Sequence, residues 1–227
     1  MMHKWSWLLI SAFTWLGTAW PAPPERVELT YEIARNGTTI AEAFYVLEHD
    51  QRTYHILETS KGRGILALRG TTRRSSRGLV SAEGLKPLEF VDERTGRSTA
   101  RALFDWQLKT ITMQYKGESR TEPLPEQAHD RLAFVFDFAF ASPRRREVAF
   151  DLLDGRGLSR HVYTLAGREV VKTPIGDFDA LKFARGEADE RTEMWFASEL
   201  GYLPLRILVI EKNGTRYDQV TTNIRTP

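Results

Sequence analysis

The chain has 227 residues, with 32 Lys+Arg against 30 Asp+Glu and no cysteine. That length suits one all-β domain, and 41% hydrophobic residues supply enough apolar surface for a core, which excludes a disordered chain. The lack of cysteine excludes disulfide frameworks, thiolate metal sites, thiol nucleophiles and a lipid-modified N-terminal Cys, and a net charge of +2 makes no case for nucleic acid.

The chain opens on a short polar start, Met1-Met2-His3-Lys4, followed by the uncharged apolar run Trp5–Leu16. Gly17-Thr18-Ala19 then places small residues where a signal peptidase needs them. The run is shorter than the ~20 residues a membrane-spanning helix requires, and Pro21, Pro23 and Pro24 end any helix. These features predict a secretory signal peptide over 1–19, a single domain over 20–227, a periplasmic destination and no stable membrane span after cleavage. Without Lys4 the formal charge of +2 falls to +1.

From Val27 onward the pattern alternates with period two, as in strands with one buried face. Val27, Leu29, Tyr31 and Ile33 form the first such set, and Asn36-Gly37 follows as a hairpin turn that accepts positive φ. Thr39–Glu48 returns and His49-Asp50-Gln51 turns the chain into Thr53–Thr59. Further alternating sets are Ala100 to Trp106, Ile111 to Tyr115, Val148 to Leu152 before Asp154-Gly155, and His161 to Leu165 before Ala166-Gly167. Leu203–Ile210 and Arg216–Ile224 flank a last turn at Asn213-Gly214. One stretch breaks the pattern. Pro125 to Ala141 begins with proline and an acidic residue, and it spaces Leu132, Val135, Phe136 and Ala139 helically. The alternation of Phe134, Phe136, Phe138 and Phe140 also fits a strand. Helix over 125–141 is the favoured assignment. The fold class is thus mainly β: a single curved antiparallel sheet or open barrel wrapped on one α-helix.

No catalytic constellation is complete. There is no Gly-x-Ser-x-Gly, and serines lie mostly in polar runs such as Thr71–Ser76. His49 and His55 could meet across a hairpin, but no third metal ligand is apparent. Gly62-Arg63-Gly64 lacks the strand and helix of a phosphate cradle and suits a turn or bulge. His129-Asp130 could pair as acid and base only with backbone help, since neighbouring helical residues point ~100° apart; helix-end electrostatics or a buried anchor suits Asp130 better. The basic clusters Arg73-Arg74/Arg77 and Arg144–Arg146, and the acidic stretch Glu187 to Glu193, read as solvated edges or turns. No enzyme activity, metal or cofactor is expected. Aromatic residues remain: Trp106, Trp195, Phe104 and Phe136 either fill a core or form the wall of an apolar cavity.

The order of motifs along the chain resembles the domain-of-unknown-function 3108 family of exported proteobacterial proteins. The matching stretches are Leu29-Thr30-Tyr31 with Asn36-Gly37, Gly78-Leu79-Val80 with Glu83 to Pro87, Phe104-Asp105-Trp106, and His129 to Leu132. Thr173 to Phe178 and Trp195-Phe196-Ala197 with Tyr202 to Ile207 complete them. His129 stands where that family's pattern has Gln. The resemblance implies export and an all-β fold, with no activity and no catalytic residues to carry over. The last two stretches are also loosely similar to periplasmic lipoprotein carriers, in which a curved sheet wraps a helix over an apolar cavity. The function expected is a binding or carrier protein for an apolar ligand such as a lipid or acyl chain. The alternative is a structural or interaction module of the cell envelope with a filled core.

Overall fold

The two-residue period is realised along most of the described residues. The computed structural model describes residues 23–141, 146–154, 157–187 and 189–226, so the expected signal peptide, Arg144, Arg145 and the turn residue Gly155 lie outside the described residues. Eight strands come first: β1 (Arg26–Arg35), β2 (Thr38–His49), β3 (Thr53–Gly62), β4 (Thr71–Ser81), β5 (Gly84–Arg94), β6 (Ala100–Asp105), β7 (Thr110–Tyr115) and β8 (Glu118–Pro123). A two-residue strand, β9 (Ala128–His129), leads into the helix α1 (Arg131–Phe140). Six strands follow: β10 (Glu147–Asp154), β11 (Gly157–Thr173), β12 (Gly176–Gly186), β13 (Arg191–Ala197), β14 (Leu203–Ile210) and β15 (Arg216–Arg225).

All fifteen strands form one sheet in the order β8-β7-β6-β5-β4-β3-β2-β1-β15-β14-β13-β12-β11-β10-β9. Every pair is antiparallel except β9–β10. The first and last strands pair with each other at the middle of the sheet, from Glu28↔Arg225 to Arg35↔Tyr217. The expected turn at Asn36-Gly37 is a two-residue hairpin with both φ angles positive, 47° and 82°. Its Asn36 side chain accepts from the Arg216 N–H and so also aligns β15.

Three expectations are corrected. Ala166-Gly167 is not a turn: Gly167, at φ 150°, sits at a bulge inside the 17-residue β11, whose two halves pair with β10 and β12. The helix starts at Arg131, not Pro125. Asp130 is its N-cap, extended at ψ 169°, with its carboxylate accepting from the N–H groups of Leu132 and Ala133. The residues before it are committed to the sheet, where the Gln127 carbonyl accepts from the Asp151 N–H. Thr71–Ser76, a polar run in the sequence, is the first half of β4. Arg74 within it is no solvated edge residue: its guanidinium is mostly buried and pairs with Glu58 at 2.8 Å and Asp92 at 3.2 Å.

Both sides of α1 are covered. Leu132, Phe136 and Ala139 pack with Leu29, Leu47, Ile56, Leu85 and Phe104. Phe134 and Phe138, one turn apart, pack with Phe150, Tyr163, Phe183, Met194 and Phe196, and the Phe138 and Phe196 rings stack at 4.1 Å. A helix apolar on this much of its circumference needs such enclosure, which is why the strand pattern among its phenylalanines loses. Because hydrophobic packing fixes no rotation, polar contacts do. The buried Asp130 carboxylate takes the Ser76 hydroxyl of β4 at 2.6 Å. Replacing Asp130 with Ala removes the cap and strands the Ser76 hydroxyl, so urea denaturation should show a loss of about 2–4 kcal/mol; a loss below about 0.5 kcal/mol would mean the cap is incidental.

Candidate functional site

The sheet has two free edges, and the chain between them forms a seam. After β8 the backbone crosses the gap: the Leu124 N–H donates to the Lys109 carbonyl beside β7, and three residues later Gln127 reaches β10. Gly157, at the start of β11, lies so close to β8 that a Cβ there would stand 3.1 Å from the Arg120 guanidinium. The ends of the sheet therefore meet through side chains without a backbone ladder.

A cleft of about 560 Å³ opens at this seam, within the usual range for small-molecule sites. Its walls follow from strand register. Phe90, Ala102, Met113 and Arg120 are successive cross-strand partners on β5 to β8, and Asp92, Ala100, Tyr115 and Glu118 form the neighbouring row. Leu153 of β10 and Arg131 of α1 complete the opposite side. The second row continues inward through Arg74 and Glu58. The floor is apolar and one wall is charged.

The charges in that wall do not cancel. Glu58 and Asp92 are matched by Arg74 and by Arg94, which binds Asp92 at 2.7 Å. Arg131 adds a positive charge for which no described carboxylate lies within ion-pair distance. Arg131 is open to the cleft, yet burial and the neighbouring Arg74 cation pull its pKa below the usual guanidinium value. Arg97, from the β5–β6 turn, lines the same cleft and also has no carboxylate partner among the described residues. Arg101 is engaged by Glu89.

Beneath the cleft lies a closed polar cluster. His129 Nδ1 faces the Gln127 carbonyl at 3.1 Å and Nε2 faces the Asp137 carboxylate at 3.3 Å. Two acceptors favour the doubly protonated ring. Burial opposes that charge, but the carboxylate and the carbonyl outweigh it and raise the His129 pKa above its ordinary value. Asp137 also accepts from the Leu85 N–H at 2.6 Å, and Gly84, at φ 126°, leaves it room: a Cβ there would stand 2.2 Å from Asp137 Oδ1. Burial raises the Asp130 pKa against the pull of Ser76 and two backbone N–H groups. His129 pairs with Asp137 rather than with its neighbour Asp130, and all three are buried, so they form a structural anchor without access to a substrate.

The four aromatic residues singled out in the sequence do not line the cleft. Phe104, Phe136 and Trp106 share one core region, with the Phe104 and Trp106 rings stacked at 6.4 Å and the Trp106 Nε1–H donating to the Pro87 carbonyl. Trp195 is not with them. Its neighbours Met194 and Phe196 face α1, so it points away from the helix, donates to Glu169 at 2.6 Å and lies beneath Lys182 and Arg206. His49 and His55 do not meet either. His49 is registered with Tyr54, which puts His55 on the opposite face of β3. Sequence reasoning missed the cleft residues, although an arginine at the first helical position, against the macrodipole, marks Arg131 as placed for another reason.

Residues 29–221 match a family described as a protein of unknown function, DUF3108. The chain belongs to the DUF3108 family. No curated protein matches it. Among solved structures, this DUF3108 chain resembles a β-barrel-like DUF1849 protein from Brucella abortus at TM-score 0.58 and 7% identity, covering 89% of this chain and 98% of the other. At that identity the likeness concerns the fold alone. Two less similar structures are each 11% identical: a candidate lipoprotein of Parabacteroides distasonis (TM-score 0.38, 90% and 97% covered) and a candidate exported protein with a YmcC-like fold from Bacteroides fragilis (TM-score 0.39, 91% and 100%). No helix among the described residues of the DUF3108 chain is long and apolar enough to cross a membrane.

The raised His129 pKa has a thermodynamic consequence. A histidine that holds its proton more tightly when folded contributes full stability below its unfolded pKa of about 6.5 and loses that contribution as pH rises through the folded value. Urea unfolding should therefore show stability falling from about pH 6 towards pH 8, with a flatter profile in His129→Gln. Parallel profiles in the two proteins would remove the linkage.

Proposed function

We propose that this protein is an exported, non-enzymatic binding or carrier protein for an amphiphile, holding an acyl chain in the seam cleft and an anionic head group on Arg131. The observation that carries the reading is the unpaired guanidinium beside an apolar row in a cleft of about 560 Å³. An acyl chain laid over Phe90, Ala102, Met113 and Leu153 gains about 0.8 kcal/mol for each methylene removed from water. Arg131 then supplies orientation, because a carboxylate or phosphate there neutralises a cation the wall leaves unpaired. The signal-like residues 1–19 support export to the periplasm. Nothing in the site holds a nucleophile beside an activating base.

The dense aromatic packing on both sides of α1 favours a second reading, an envelope module whose interior is simply filled. Binding separates the two. Dansyl-labelled undecanoic acid should bind the purified protein, and Met113→Arg, which blocks the floor, should abolish binding. Arg131→Gln should weaken the acid about 10–100-fold, the worth of a charge-assisted hydrogen bond, while a dansylated alcohol of equal length binds both forms alike. No binding of either probe, together with a clean unliganded mass by native mass spectrometry, would leave the filled module standing.

A further inference from the structure

The connection between β3 and β4 carries a feature that neither the core nor the cleft uses. Gly64–Arg69 forms a single 3-10 helix, and its Ile65 and Leu68 side chains are 82% and 86% exposed. At a spacing of three in a 3-10 helix the two side chains eclipse one another, so they project together as one apolar tip. The tip is braced. A Cβ on Gly62 would stand 2.5 Å from the Leu66 carbonyl oxygen, which shows how closely the turn lies on β3. Gly70 is packed on Thr95, and Thr71 and Thr95 exchange hydrogen bonds of 3.0 and 3.1 Å. Those contacts tie the apolar tip to the β5–β6 connection, whose Arg97 and Ser98 line the cleft.

The surroundings of the tip are basic. Arg63 is engaged by Glu32 and Glu42. Lys61 and Arg69, both exposed, have no carboxylate within ion-pair distance among the described residues, and neither has Arg97 on the adjoining turn. An apolar tip with the unpaired cations Lys61 and Arg69 on either side of it in the chain fits a leaflet better than water: the aliphatic side chains enter the acyl boundary while the cations meet lipid phosphates. Its closeness to the cleft favours a lipid surface over a protein partner, because an amphiphile leaving a membrane there would meet Arg97 and then Arg131.

We propose that Gly64–Arg69 is a membrane-docking tip that seats the protein on an anionic lipid surface with the cleft mouth beside it. The proposal rests on the carrier reading for its purpose, though the docking itself is measured separately. Flotation of the protein, as recovered from the cell, uses vesicles of phosphatidylcholine with or without about 30% phosphatidylglycerol. At least tenfold more protein should float with the anionic vesicles, and the excess should vanish at high salt. The double variant Ile65→Asp/Leu68→Asp should lose at least tenfold of that binding while keeping the wild-type affinity for dansyl-undecanoic acid in solution. Lys61→Ser/Arg69→Ser should lose the preference for phosphatidylglycerol. Met113→Arg should float normally and bind no probe.

Equal flotation of wild type and the Ile65→Asp/Leu68→Asp variant would overturn the docking tip. So would a variant that floats normally but loses a crosslink to a protein neighbour, since that assigns the tip to a protein. Because both residues are exposed, circular dichroism should show each variant folded; Ile65→Ser/Leu68→Ser provides a milder form of the same test. Normal flotation by a wild-type protein that binds no probe would sink the carrier reading and leave the docking tip intact.

Discussion

Two carboxylates set two turns apart on one helix determine where everything else sits. Asp130 and Asp137 lie seven residues apart and therefore on the same face of α1. The first takes the Ser76 hydroxyl on β4 and the second takes the Leu85 N–H on β5. An apolar helix in an apolar bore could slide or rotate at little cost; a pair of buried carboxylates cannot, because any shift leaves a desolvated charge without its donors. The stitch thus fixes both rotation and depth. Gly84 is part of the same device, since a side chain there would occupy the position of the Asp137 oxygen.

The depth set by that stitch explains why a cleft exists. At its C-terminal end α1 reaches the β2–β3 turn, where the Phe140 ring meets His49 edge-on at 4.9 Å. Its N-terminus is held at Ser76, near the middle of β4, so the remainder of the bore towards the β5–β6 turn is not filled by helix. The seam lies alongside. A sheet whose last strand is the two-residue, parallel β9 has no ladder to offer β8, and the crossing segment after β8 occupies the gap in its place. Failure to close and failure to fill coincide at one end of the molecule, and the inner-face row from Glu58 to Glu118 lines the result.

Much of this architecture was legible in the sequence because its cause is local. Val27, Leu29 and Tyr31 declare a buried face by their spacing, and Asn36-Gly37 declares a two-residue turn by its backbone tolerance. What was not legible depends on partners distant in sequence. Arg74 reads as one of several exposed arginines until β3 and β5 bring Glu58 and Asp92 to either side of it. Trp195 has the same period-two neighbours as any inward strand residue, and only the assembled sheet shows that Met194 and Phe196 take the helix side. Gly167 is a turn residue by composition, yet β10 and β12 both pair with the strand that contains it, and a bulge is the resolution. Pro125 resembles a helix N-terminus locally, whereas the Asp130 cap and the Gln127–Asp151 hydrogen bond are decided by the sheet.

The character of the cleft follows from the use of arginine rather than lysine at its polar end. A lysine in a positively biased cleft could shed its proton, whereas a guanidinium keeps its charge although burial and Arg74 pull its pKa down. Glu58 and Asp92 are already committed to Arg74 and Arg94, and Glu118, the other carboxylate in the row, makes no ion pair with Arg131. The cleft therefore keeps a standing positive potential above an apolar floor. On the proposed carrier reading, a molecule with one anionic end and one greasy end would satisfy both halves at once. That pairing of charge and apolar surface, built from side chains that are individually ordinary, is what supports the proposed binding role of the seam.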